Sequence, residues 1–291
     1  MEPGLIVNAD DLGIEAATTR GIASAYRNGI VSSASLIVTT PAIEDAVATA
    51  RADDIPVGLH VALTQGRAIA GPRLSRLVDY SGAFKLRPQD LIRVRRNDTA
   101  LIDQIRIEMR AQLKRAVDLG LTLTHVDSHH HVHMNPVLFA LLEDEASAFG
   151  IRRIRLSREP LSIFWRSGRY AQTLRRNNLP KWLFIRALAG RIKPRLETPD
   201  MFVGLFHSGA IVKSILLNLL AAIPTDKSVE ICIHPGLPDR TSSRSAHEFE
   251  AFATSPSRRL EHDALVDADV IAVIRNRGLT LRSFDGRPKR L

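Results

Sequence analysis

The chain of 291 residues carries a single cysteine, Cys232, which excludes an internal disulfide framework and any zinc site built on cysteine. A reducing compartment is therefore open to it. Aromatic residues make up 5%, too few for the stacking platforms that bind single-stranded nucleic acid. No run reaches the roughly 18 to 20 apolar residues that span a bilayer. The best stretch, 214–223, is short and carries Asn218. The N-terminus, MEPGLIVNADD, lacks the basic start of a signal peptide and turns acidic at Asp10. The expectation is a cytoplasmic protein, at most peripheral at the inner face of the membrane. Internal repeats and glycine-rich phosphate loops are missing. Acidic residues are also in deficit: 31 Asp and Glu face 40 Lys and Arg, a net charge of +9 that suggests an anionic partner such as nucleic acid or an acidic membrane.

What is present is globular, with 45% hydrophobic and 24% charged residues. Residues 4–7 (GLIV) form a short β-rich run that delivers Asn8, Asp10 and Asp11 at its end. Helical composition follows over 14–28, stopped by Gly29, and β-like composition over 31–39. A helix over 42–52 and a strand over 56–61, with His60 near its end, continue the alternation. Apolar residues at Ile102, Ile105, Met109, Leu113 and Ala116 recur every three or four positions, the mark of an amphipathic helix over 101–119. Further strands are expected at 122–127, 151–156, 229–233 and 279–284, and a helix from Asn135, where Pro136 suits the first turn.

Repeated strand-then-helix order predicts a parallel sheet with helices outside it. An open sheet and a closed barrel share these local signals. The barrel is favoured because Asp10, Asp11, His60, His129 and His234 all fall at or just past strand C-termini, which converge on one face of a (β/α) barrel. The expected architecture is thus one (β/α) barrel domain over 1–291, distorted or seven-stranded, with excursions at about 66–97 and 160–199.

Five of the ten histidines lie within THVDSHHHVHMNP, between His125 and His133. Neutral imidazole is the commonest protein metal ligand, yet strand alternation prevents all five from facing one point. A catalytic metal site takes about three protein ligands and an open position. The Asp10-Asp11 pair and His60 offer ligands from other strand ends, and one carboxylate of an adjacent pair can bind while the other stays free as a base. The bland alternative for Asp10-Asp11 is a helix cap before Ile14.

NADDLG at 8–13, GLH at 58–60, HVDSHHHVHMNP at 125–136 and EICIHPG at 230–236 resemble, in this order, the YdjC-like carbohydrate deacetylases, a branch of the wider polysaccharide-deacetylase type of metal-dependent amidohydrolase. The resemblance spans nearly the whole chain and ends in RGLTLRSFD. It implies one divalent metal ion held by Asp11, His60 and His129, with Asp10 as general base and His234 as general acid or a ring over the sugar. It leaves His131 and His133 as sugar contacts or outer groups, and His125 and Asp127 as hydrogen-bonding supports of the ligands. Two imidazoles and a carboxylate suit zinc, magnesium prefers oxygen, and the ion's identity stays open.

Two substrate branches are relevant to that resemblance. HVDSHHHVHMNP is similar to deacetylases of soluble chitooligosaccharides; RIRLSREP at 153–160 and DMFVGLFHSG at 200–209 are more similar to the hopanoid-biosynthesis-associated deacetylases, whose substrate is an N-acetylglucosamine-bearing membrane lipid. Residues 166–195 hold nine basic and no acidic side chains, interleaved with Tyr170, Trp182, Leu183, Phe184 and Ile185. That mixture suits an element lying on an anionic lipid surface, and equally a solvated helical hairpin packed on the barrel. No nucleic-acid-binding motif accompanies the charge. A metal phosphoesterase is the rival of another class, and pairing into a homodimer is open.

Overall fold

A computed structural model describes residues 1–167, 178–237, 252 and 254–291. Strand β1 (Gly4–Leu12) lies at the centre of a mostly parallel sheet. On one side it pairs with β2 (Ser33–Leu36), which pairs with β3 (Val57–Val61), which pairs with β4 (Val126–Ser128). On the other side it pairs with β6 (Ser228–Ile233), which pairs with β5 (Met201–Val203). Parallel bridges from Val126 to Ile154 and from Arg153 to Glu197 carry the pairing from β4 round to the segment entering β5, closing the sheet into a (β/α) barrel. The terminal hairpin of β7 (Leu281–Arg282) and β8 (Pro288–Lys289) adds to the start of β1, at the end of the barrel away from the strand C-termini.

Helices α1 (Ala16–Asn28), α2 (Ile43–Ala52), α4 (Thr99–Asp118), α5 (Pro136–Ala148) and α8 (Lys213–Ala222) return the chain between strands, with the short α3 (Pro88–Leu91) before α4. In the described residues α6 (Leu161–Ser167) and α7 (Asn178–Ala189) fall between β4 and β5, and α9 (Ser257–Leu265) and α10 (Ala268–Asn276) lie between β6 and β7. The periodic face of α4 buries Leu101, Ile105, Met109, Leu113 and Ala116. Its N-cap is Asp98, and Gly120 follows its end at φ +71, the conformation that glycine closes a helix with. Asn135 caps α5 by accepting from Val137 N and Leu138 N, while its amide donates to Ile92 O and Val94 O and so ties the 66–97 excursion to the barrel.

Several boundaries differ from the sequence reading. The first strand does not stop at Val7: pairing with β2 and β6 runs through Ala9 and as far as Leu12, so Asp10 and Asp11 belong to the strand. Regular pairing at 151–156 shrinks to Arg153 and Ile154, and at 122–127 it begins only at Val126. These stretches read as strands because of their apolar and β-branched residues, but their partners reach them at only a few positions.

The excursions are anchored through buried carboxylates. Glu108 on α4 accepts from Ile69 N and Ala70 N at 3.0 Å each. Glu159 accepts from Gly204 N at 2.9 Å and Phe206 N at 2.8 Å, and Asn178 at the start of α7 donates to Phe206 O and Ser208 O. The start of α7 is thereby held against the loop after β5, above the C-terminal ends of the strands. Ten residues of the basic stretch, 168–177 with Tyr170 among them, lie outside the described residues.

Candidate active site

The strand C-termini open into a cavity of about 320 Å³. Asp10, Asp11, His60, His129 and His234 all line it, with His131 beside them. Asp11 takes a left-handed backbone conformation (φ 71), and so do His130 (φ 60) and His131 (φ 56). Such conformations are costly for residues with a Cβ and gather where side chains must be aimed. At Asp11 the effect is to turn two adjacent carboxylates to different partners.

Arg258 on α9 donates through Nη2 to Asp11 Oδ2 at 2.6 Å. The other oxygen, Oδ1, is buried and has no hydrogen-bond partner among the described residues, although His129 Nδ1 stands 3.0 Å and His60 Nε2 3.5 Å from it. Ligand atoms of Asp11, His60 and His129 all fall within 4.8 Å of one another. Each imidazole is oriented from behind: His60 Nδ1 by Asp127 Oδ1 at 2.7 Å, and His129 Nε2 by Gln65 Oε1 at 3.0 Å. That leaves His60 Nε2 and His129 Nδ1 facing Asp11. An orphaned carboxylate oxygen, two convergent ring nitrogens and an open pocket side fit a divalent ion with a vacant coordination position. The electrostatics agree: burial would lower His60, but Asp127 and then Asp10 outweigh it and push the imidazole up to about 9. The site collects positive charge.

Asp10 lines the same cavity. Arg155, fully buried, donates to both of its oxygens at 2.7 Å, and Cys232 Sγ and Asn8 Nδ2 donate as well. Burial would raise this carboxyl, yet the Arg155 guanidinium and His60 hold it far below the ordinary range. Arg155 also pairs with Asp127 Oδ2 at 2.6 Å and through Nε with Glu230 Oε1 at 2.7 Å. His234, at the end of β6, has its backbone N–H on Glu261 Oε2 at 2.6 Å and its Nδ1 4.0 Å from the same oxygen, without a hydrogen bond among the described residues, and burial pushes the ring down to about 4.

The remaining histidines separate. His131 shares a hydrogen bond with Ser157 Oγ at 2.9 Å and lines the cavity. His133 is set between Ser128 Oγ and Arg155 O, away from the cavity lining. His125 stacks on Phe284 at 3.7 Å between ring centroids and bonds Ser35, which donates to Asp127, so it stands three hydrogen bonds from His60. Its ring occupies the space beside Gly58 that any Cβ would fill. The cap reading of Asp10 and Asp11 fails: Glu15 is the N-cap of α1, and Asp10 and Asp11 lie within β1.

Sequence reasoning missed Arg155, Arg258, Gln65 and the cavity-lining Asn178, Lys181 and Ser208. Arg155 left a faint signal, a charge between Ile154 and Leu156 in a buried run. Arg258, more than two hundred residues from Asp11, left none.

The titratable groups give a pH expectation for metal-free protein. His125, His131, His133, His207 and His234 are pushed down by burial, to about 3 for His125 and about 4 for His133, His207 and His234, so the stability they confer is lost as pH falls from 6.5 toward 4. Burial raises Glu159 to about 7 and Glu230 to about 8, and His60 stands at about 9; their folded values exceed the unfolded ones, so their stability is lost as pH rises from 4.5 to about 7 and 8 for the glutamates and from 6.5 to about 9 for His60. Melting temperature against pH is expected to peak between about pH 6 and 7. A flat profile from pH 5 to 9 would contradict these assignments.

The sequence profile of YdjC-like proteins matches residues 4–276. A carbohydrate deacetylase of Thermoanaerobacter pseudethanolicus is 30% identical over 286 residues, covering 96% of this chain and 97% of that protein. A chitooligosaccharide deacetylase of Citrobacter koseri is 32% identical over 291 residues, covering 98% of this chain and 99% of that one. A crystal structure from Enterococcus faecalis V583 shares the fold with a TM-score of 0.73 at 24% identity, covering 98% of both chains. With the match running from β1 to the end of α10, the chain belongs to the family of YdjC-like proteins.

Proposed function

We propose that the protein is a metal-dependent hydrolase that removes the acetyl group from an N-acetylglucosamine-bearing substrate, cleaving an amide C–N bond. The observation that carries this reading is the unsatisfied Asp11 Oδ1 facing His60 and His129 beside the ionised Asp10. Asp11, His60 and His129 would hold a divalent ion, which supplies a Lewis acid for the acetamide carbonyl and for a water molecule. Asp10 is the base that takes the proton of the attacking water; the Arg155 fork that keeps it ionised also weakens it as a base, so the transfer depends on the acidity that a bound ion would give the water. His234 is neutral at rest, so the proton it gives to the departing amine must first reach it. Asp10 is the source, handing on through one bridging water the proton it took from the nucleophile, since ligand atoms of the two residues lie within 4.8 Å but share no direct hydrogen bond. Asn178, Lys181 and Ser208 supply polar contacts for the sugar at the cavity wall.

A two-metal phosphoesterase is disfavoured by Arg155. Asp10 and Asp127, the carboxylates a second ion would need, are already both engaged by its guanidinium. A second cation there would meet a fixed positive charge.

Within this reading we favour a glycolipid substrate, such as an N-acetylglucosaminyl hopanoid, over a soluble chitooligosaccharide. Support comes from α6 and α7, where Trp165 is 72%, Leu183 51% and Phe184 44% exposed, with Arg166, Arg191 and Lys193 exposed nearby. The helix that presents Leu183 and Phe184 also lines the cavity with Asn178 and Lys181. Apolar and cationic side chains of this kind suit an anionic lipid surface. Cosedimentation with anionic vesicles, comparing wild type with Trp165→Ser/Leu183→Ser/Phe184→Ser, is expected to show at least about tenfold weaker binding by the variant. Acetate release should then be faster on the lipid-linked substrate than on diacetylchitobiose. Equally poor vesicle binding by both proteins removes the membrane contact, and faster release from the soluble oligosaccharide removes the glycolipid preference.

A further inference from the structure

Glu230, in the middle of β6, is fully buried and does not line the cavity, so no substrate touches it. Its Oε1 accepts from Arg155 Nε at 2.7 Å, and its Oε2 has no hydrogen-bond partner among the described residues. The same guanidinium donates through Nη1 and Nη2 to Asp10 and through Nη1 to Asp127. Guanidinium is planar, so fixing Nε fixes the plane and direction of both Nη groups. Three strands therefore meet at one side chain: β6 holds Arg155 by Nε, while β1 and β4 receive the fork. Asp127 in turn orients His60. Phe202, with its ring centroid 5.6 Å from Arg155 Cζ, supports one face of the guanidinium but offers no directional bond.

We propose that Glu230 is a positioning residue for the general base: by accepting from Arg155 Nε it holds the guanidinium in the one plane that grips Asp10 with two bonds and Asp127 with a third. The proposal rests on the reading of Asp10 as the base. What the geometry uses is an acceptor oxygen, not a charge. Asp10 and Asp127 already balance Arg155 and His60, and burial pushes the Glu230 carboxyl up to about 8. A glutamine presents the same Oε1 acceptor; a leucine fills the volume and presents none.

The test compares Glu230→Gln and Glu230→Leu with wild type, in the metal-loaded enzyme, on one N-acetylglucosamine oligosaccharide. Glu230→Gln is expected to keep kcat within about threefold, whereas Glu230→Leu lowers kcat at least about thirtyfold with KM within about threefold, a misplaced base costing up to about 100-fold. In the background of Arg155→Met, Glu230→Leu should cost nothing further, because the group it positions is gone. A crystal structure of Glu230→Leu should show the Arg155 fork rotated off Asp10, and this readout holds even if no substrate tested releases acetate. Equal losses in the Gln and Leu variants, an effect confined to KM, additive losses with Arg155→Met, or an undisplaced Arg155 would each overturn the proposal. Failure of wild type to release acetate would instead overturn the deacetylase reading and leave the crystal structure to decide the positioning role.

Discussion

Asp11→Asn is expected to lose the divalent ion and the activity together, while Asp10→Asn keeps the ion and loses the rate. The two residues are neighbours in sequence but not in role. Arg258 occupies one Asp11 oxygen and leaves the other directed at His60 and His129. An amide there withdraws the charge and presents Arg258 to a neutral group. Changing groups that merely orient a ligand costs about 10- to 100-fold in affinity, so losing the ligating carboxylate should cost more than about 100-fold. Asp10 lies on the Arg155 side, and its loss as a base should lower kcat by about 10² to 10⁴ with the ion still bound. Calorimetric titration with the ion, alongside acetate release, checks both. A His129→Ala protein with full metal content and activity would remove the triad.

The largest effect on stability is expected from Arg155→Met. Arg155 is fully buried among Asp10, Asp127 and Glu230, at 2.6 to 2.7 Å from each. Breaking a buried ion pair on one side costs about 3 to 5 kcal/mol, because the partner charge stays buried without compensation. Here two carboxylates, Asp10 and Asp127, are stranded at once. A fall in Tm on the order of 10 °C should follow, since about 1 kcal/mol moves Tm by roughly 2 to 4 °C in chains of 150 to 250 residues. Arg155→Lys keeps the charge but not the planar fork, and should recover part of the Tm and little of the rate. Calorimetry reads the first and acetate release the second; a variant as stable as wild type would mean the carboxylates are not held as described.

The order of strands and helices was legible because a parallel sheet buried on both faces writes continuous apolar runs, as in GLIV and VEICI, between periodic helices. Strand extents were not. Whether Asp10 and Asp11 lie in β1 or after it depends on how far β2 and β6 pair alongside, which no local pattern records. The carboxylates and histidines of the site were legible because they are chemically distinctive and sit at strand ends. The arginines that set their charge were not. Arg258 reaches Asp11 only through the closure of the barrel, and an arginine in a sequence with 40 basic residues carries no mark of being buried. The net charge misleads in the same way: Arg155 and Arg258 are spent inside the barrel, and nine of the 40 basic residues fall within 166–195.

Chelator-stripped protein titrated with zinc or magnesium, with acetate release from an N-acetylglucosamine oligosaccharide followed at each addition, tests the central claim most directly. Activity should be absent at the start, rise in proportion to added ion and level off at one equivalent, with no phosphate released from a model ester. Full activity in the stripped protein, or a need for two equivalents together with phosphate release, would contradict a one-ion deacetylase site at Asp11, His60 and His129.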